Sequence, residues 1–229
     1  MSTVFSFFKR RAKTLLSLTA YAIVVSFCLY AYSFTRIEKR ALATRFYYLV
    51  SPSTHLEVST HQATLSGGAG YLLTHGGREY VAFAVYFAEQ DGVKAQTALE
   101  KNGQQACLLE KPITTLYFKT EDEKRNVDAY VSALNSNYSC MQLLYAEITR
   151  LEQGATQESS KRILLEIGRV LDVLTTAYKN VFKSYSSVCA QVSKGLQDVC
   201  TKTIYAQDLR YVLCNWSDLH VKLCAEFSL

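Results

Sequence analysis

The residues best arranged for chemistry lie in the run EYVAFAVYF, residues 79–87. Alternation along a strand places Tyr80, Ala82, Ala84 and Tyr86 on one face and Val81, Phe83, Val85 and Phe87 on the other. An aromatic rim over a flat alanine floor can stack a sugar ring through its apolar C–H face. The same residues also read as tyrosines that cover the sheet or pack on another part of the chain. The face offers no carboxylate pair, so glycan hydrolysis is not expected of it. Gly67, Gly68 and Gly70 lack the following Lys-Ser/Thr of a phosphate-cradling loop and read as a turn. His55, His61 and His75 sit in a loop-rich approach to the strand, with no HExxH spacing and no nucleophile beside them. No catalytic residue is assigned and no enzyme activity is expected.

Metal and cofactor chemistry are not expected either. His220 and Cys224 are four apart on a helix, but Cys214 points to another side. Of the seven cysteines, Cys189, Cys200 and Cys214 are separated by 11 and 14 residues, which keeps them near one helical face as small buried hydrophobes.

The elements that must position the tyrosine face begin with a membrane segment. Residues 14–35 carry no charge, and the twenty residues 15–34 would span about 30 Å as a helix, the thickness of a bilayer core. The expected reading is an uncleaved transmembrane helix over 14–35, the alternative a cleaved signal peptide cut after Ala31 and Ser33. Residues 1–13 form a basic tail, and 36–45 a juxtamembrane linker. Lys9, Arg10, Arg11 and Lys13 precede the segment and Arg36, Lys39, Arg40 and Arg45 follow it, so cation count leaves orientation even. Glu38 dilutes the second flank, which places the N-terminus in the cytoplasm and the remainder outside. Residues 1–45 hold eight Lys/Arg against Glu38 alone, or +7, so the overall +5 leaves −2 for the rest. Cations that flank an apolar segment do not make a duplex-binding surface, and a nucleic-acid role is excluded.

Beyond the anchor the chain divides by composition. Residues 46–118 contain seven of the ten glycines and both prolines, the vocabulary of strands and turns, whereas 121–229 is rich in helix formers. The spacing predicts a strand at 46–50, a hairpin from GGAGYLL through His75-Gly76-Gly77 into Glu79, and a helix opened by Glu89 and Asp91 and closed by Gly103. Strands at 105–110 and 114–119 complete the sheet of an αβ domain over 46–119.

The run YVAFAVYFAEQDGVKAQTALEKNGQQACLLE, residues 80–110, resembles the core of a sporulation-related repeat (SPOR) domain, in which such a strand leads through a helix to a second strand. With the N-terminal anchor, the chain is similar to single-span envelope proteins of spore-forming Gram-positive bacteria. The resemblance implies a small αβ domain whose antiparallel sheet carries helices on one face. Its open face would bind peptidoglycan glycan strands lacking stem peptides, in division or sporulation, through the positions of Tyr80, Ala82, Ala84 and Tyr86. Ala82 and Ala84 stand where the family strand carries Gln and Gly.

The segment 121–229 reads as a bundle. Val127, Leu134, Met141 and Ile148, with Tyr130, Asn137, Leu144 and Leu151, fill a heptad seam in which Asn137 is the polar exception that sets register or partner. A second seam runs through Ile163, Ile167, Val170, Leu174, Ala177 and Val181, and a third through Tyr205, Leu209, Val212, Trp216, Leu219 and Leu223. A boundary at 183–187 lets serine cap the third helix. Three seams satisfy one another in an antiparallel three-helix bundle, or one of them is completed by another envelope protein. The expected protein is therefore α+β: a transmembrane helix, a SPOR-like αβ domain and an all-α three-helix bundle. Its partners are the lipid bilayer and peptidoglycan, with a helical scaffold or adaptor lacking glycan binding as the alternative.

Overall fold

A computed structural model describes residues 26, 38–52 and 55–227. The basic tail, and the transmembrane segment apart from Ser26, lie outside the described residues. Among the described residues no helix is long and apolar enough to cross a membrane.

The architecture is α+β. The αβ part runs β1 (Glu38–Ser51), α1 (Leu56–Leu65), β2 (Tyr71–His75), β3 (Arg78–Tyr86), α2 (Glu89–Lys101) and β4 (Cys107–Phe118). Five helices follow: α3 (Glu121–Arg125), α4 (Val127–Glu152), α5 (Gln157–Tyr178), α6 (Lys183–Cys200) and α7 (Ala206–Ala225). The strands form one sheet in the order β2-β3-β1-β4, so β1 splits the β3-α2-β4 crossover as in ferredoxin-like folds. By contact the chain divides into two units, Met1–Lys39 with Tyr117–Val127, and Arg40–Leu116 with Asp128–Leu229. In the smaller, Thr120 and Glu123 form a capping box that starts α3, and the Lys39 ammonium lies 5.6 Å from the Tyr117 ring centroid.

The hairpin stands as its turn residues dictate. Gly76 and Gly77 adopt φ of 57° and 74°, the left-handed geometry of a two-residue turn, and His75 pairs with Arg78. Helix α2 covers residues 89–101 and ends before Gly103, at φ 78°, as its flanking signals require. Gly92 lets α2 approach β4, since a Cβ there would lie 2.7 Å from Leu108.

Several expectations are corrected. Strand β1 starts at Glu38, inside the expected linker 36–45, because Leu42 and Thr44 continue the buried alternation of Phe46, Tyr48 and Val50. The expected strands 105–110 and 114–119 are one, with Pro112 tolerated because β4 is an edge strand. The approach containing His55 and His61 is largely helix α1.

The helical part has a break at residues 201–205 that the three-helix bundle lacks, and four long helices result. Gln157 fixes that break by donating to the Ile204 carbonyl at 2.9 Å and accepting from its N–H at 2.8 Å. Cys189, Cys200 and Cys214 are buried as expected, but on two helices. Helix α6 begins at Lys183 with Phe182 at its N-cap, so serine does not cap it. The core stripe of α5 is Ser160, Leu164, Ile167, Gly168 and Leu171, rotated from the expected seam. Val170 and Val181 are 40 % and 53 % exposed. Small residues set this rotation, since Ser193 of α6 reaches the Gly168 carbonyl at 3.3 Å.

The sheet and the helices do not form separate modules over 46–119 and 121–229. Helices α1 and α2 pack on one side of the sheet, where Leu49, Val81 and Phe83 meet Ala63, Ala95 and Leu99. Helix α7 packs on β3 and β2 from the other side. A β-bulge governs which residues face which layer. Tyr48 pairs with Val85 and Leu49 with Ala84, but Val50 pairs with Ala82, so Phe83 is the extra residue. Because β3 is buried on both sides, Phe83→Asp and Ala82→Asp should each cost several kcal/mol through an unpaired buried carboxylate. Circular dichroism melts of both variants check this, and a native-like melt for Ala82→Asp would show that its face is open.

Candidate functional site

The tyrosine face is not an open floor. Leu49 and Val50 are consecutive on β1 and point to opposite sides, so their partners Ala84 and Ala82 do as well. Ala82 is 0 % and Ala84 7 % exposed. Tyr86 is half-buried, packs at the margin of the Leu49 cluster and stands edge-on to Tyr145 of α4 at 6.1 Å. Burial pushes its hydroxyl pKa up to about 12. Tyr80 is half-buried on the hairpin opposite Leu73. The bulge thus disperses the four residues that simple alternation groups together.

What the sequence brings to the sheet instead is a polar network on α7. Asp218, with its side chain 6 % exposed, accepts from Lys111 at 3.2 Å, Lys222 at 2.8 Å and the Tyr71 hydroxyl at 3.1 Å. Lys111 also donates to the Thr74 carbonyl at 3.2 Å, and its ammonium lies 5.4 Å from the Tyr48 ring centroid. Tyr48 donates to Ser217 at 2.8 Å, and Ser217 to the Cys214 carbonyl. Burial pushes the Asp218 carboxyl up, but the Lys222 and Lys111 ammonium groups outweigh it and hold the group below its ordinary value. Burial raises the Tyr48 and Cys214 groups far above theirs, so neither is an activated nucleophile near neutral pH.

A second network ties α7 to α4. Asn137 accepts from the Trp216 indole at 2.8 Å, and its amide nitrogen lies 3.0 Å from His220 Nδ1. The polar seam residue therefore fixes the register of α4 against α7. Among the described residues His220 has a hydrogen-bond partner only at Nδ1, and Nε2 is buried without one. Among the described residues no group of three His, Cys, Asp or Glu side chains is placed to hold a metal.

A third feature is a cleft of about 360 Å³ beside the first half of β1. Leu42, Thr44 and Tyr47 of β1 line it together with Phe87 and Tyr138. Phe87 and Tyr138 meet edge-to-face at 5.3 Å, and Phe46 backs both rings at 5.7 and 5.8 Å. Arg45 and Glu89 also line it. Nothing in the alternating pattern marks this cleft, because it arises where β3 ends beside a longer β1. No protein family, curated protein or solved structure matches the chain.

Burial lowers the His220 pKa from 6.5 to about 4. The unfolded chain therefore takes up this proton first as pH falls. Stability held above pH 6.5 is lost progressively down to about pH 4, by about 3 kcal/mol in all. His220→Gln, which keeps an acceptor for Asn137, should remove this slope between pH 7 and 4.5. Thermal melts across that range check it, and parallel curves for both proteins would contradict the assignment.

Proposed function

We propose that the protein is a single-span, non-enzymatic scaffold of the cell envelope, with its N-terminus inside and its folded part held outside the cytoplasmic membrane. The anchor reading rests on the uncharged run 14–35, which is long enough to span a bilayer. The observation that favours a scaffold over a glycan-binding module is the packing of α7 on the sheet, with Ala82 fully buried. In the SPOR-like reading this is the face that would meet the glycan, and here a helix of the same chain occupies it. The βαββαβ order is compatible with the αβ domain that the resemblance implies.

The full-length chain should remain in the membrane pellet after carbonate washing, and recovery of a soluble fragment starting near Phe34 would indicate a cleaved signal. Solubilised in mild detergent, it should fail to sediment with purified sacculi, whether or not amidase has removed the stem peptides. Sedimentation that Tyr80→Ala/Tyr86→Ala abolishes without loss of circular dichroism would restore the glycan-binding reading.

A further inference from the structure

The turn between α5 and α6 reads Lys179-Asn180-Val181-Phe182-Lys183. Val181 is 53 % exposed, Phe182 is half-buried, and both lysines are exposed. Among the described residues neither Lys179 nor Lys183 is paired with an acid. From Val173 to Gln197 the chain carries Lys179, Lys183 and Lys194 and no Asp or Glu. The turn is held in shape by the Val181 and Phe182 N–H groups, which both donate to the Tyr178 carbonyl, at 3.1 and 2.8 Å. An apolar pair offered to water between two cations has the composition of a membrane-interface contact, in which apolar side chains enter the boundary and long basic ones reach the head groups.

The place of this turn in the fold points the same way. Phe182 stands edge-on to Tyr130 of α4 at 4.6 Å, and Tyr130 meets Phe227, just past the end of α7, at 4.6 Å. Asp128, two residues before Tyr130 and so about 3 Å back along α4, pairs with Arg40 at 3.6 Å. The turn therefore lies at the end of the helices beside the start of β1. Arg40 is five residues beyond Thr35, the last of the uncharged run, and five residues reach at most about 18 Å. A tether this short keeps the bilayer within constant reach of that end, ahead of any occupant that must diffuse to it.

We propose that this turn rests on the bilayer that holds the anchor, with Val181 and Phe182 set into the interface and Lys179 and Lys183 on anionic phospholipid head groups. Basic residues near a membrane surface favour an anionic leaflet. The proposal takes the anchor from the reading above and adds the surface by which the folded part meets the membrane.

The test uses the full chain reconstituted into vesicles of phosphatidylcholine with about one-third phosphatidylglycerol, the phosphatidylcholine brominated on its acyl chains near the head group. Val181→Trp puts a fluorophore on the turn, while native Trp216 is fully buried and its emission is subtracted with the unaltered chain. The added emission should fall at least about twofold relative to unbrominated vesicles. Tyr205→Trp, at an exposed position where α7 begins, about 30 Å along that helix from Phe227, should stay unquenched. Adding Lys179→Gln and Lys183→Gln to Val181→Trp should restore at least about half of the lost emission, with unchanged circular dichroism. In a chain that floats with the vesicles, unquenched emission from Val181→Trp overturns the proposal and leaves the anchor standing, and a blue shift without quenching would mean that a second copy or another segment covers the turn. Equal quenching at both positions also overturns it, and quenching that the lysine changes leave intact overturns the head-group assignment. A chain that does not float with the vesicles overturns the anchor reading, and the proposal with it.

Discussion

The carboxylate of Asp218 is the interaction on which the rest of the arrangement depends. It lies almost wholly out of water, a position a charged group holds only when it is paired and hydrogen-bonded. Lys111 comes from one edge strand, Tyr71 from the other and Lys222 from the next turn of α7. Since Lys111 also reaches the Thr74 carbonyl, a single ammonium joins β4 to β2 beneath α7. The helix is thereby held to both edges of the sheet. Removing either partner would strand the other in a poorly solvated place, which makes the network costly to break even though its net contribution to stability is modest.

A helix pinned in this way is enclosed on nearly every side, and its sequence reflects that. Leu209, Leu213, Trp216 and Leu223 are buried together with Ser217, Asp218 and His220. Each of these polar side chains answers a different neighbour, Ser217 and Asp218 the sheet and His220 the α4 helix through Asn137. Such pairings specify one docking geometry where apolar contacts alone would tolerate sliding. The same enclosure fills the sheet face and moves the accessible chemistry to the perimeter. There, β1 outruns β3 and leaves a cleft beside Phe87 and Tyr138.

Much of the local structure was legible in the sequence, because its signals are local. Gly76-Gly77 fixed the hairpin, Glu89 and Gly103 bracketed α2, and Asn137 stood out as a seam residue with a partner. The misses came from long-range causes. Helix α1 has apolar residues at Leu56, Val58, Ala63 and Leu65 that fall on opposite sides of the helix, so periodicity gives no stripe. The bulge at Phe83 inverts the facing of everything after it, and a two-residue period read straight through 79–87 carries the error to Ala84 and Tyr86. The break between α6 and α7 depends on Gln157, nearly fifty residues away. Asp218, a lone acid on an apolar helix, carries no motif; its one mark in the sequence is a charge set inside a run of core positions.

The account therefore stands on α7 being integral to the sheet, with Asp218 joining the two edge strands. Native-state hydrogen exchange of Asp218→Asn under conditions where it remains folded tests this most directly. The account predicts that amides of β2, the first half of β4 and α7 lose protection together, as one cooperative unit. Loss confined to α7, with both edge strands as protected as in the unaltered chain, would contradict it.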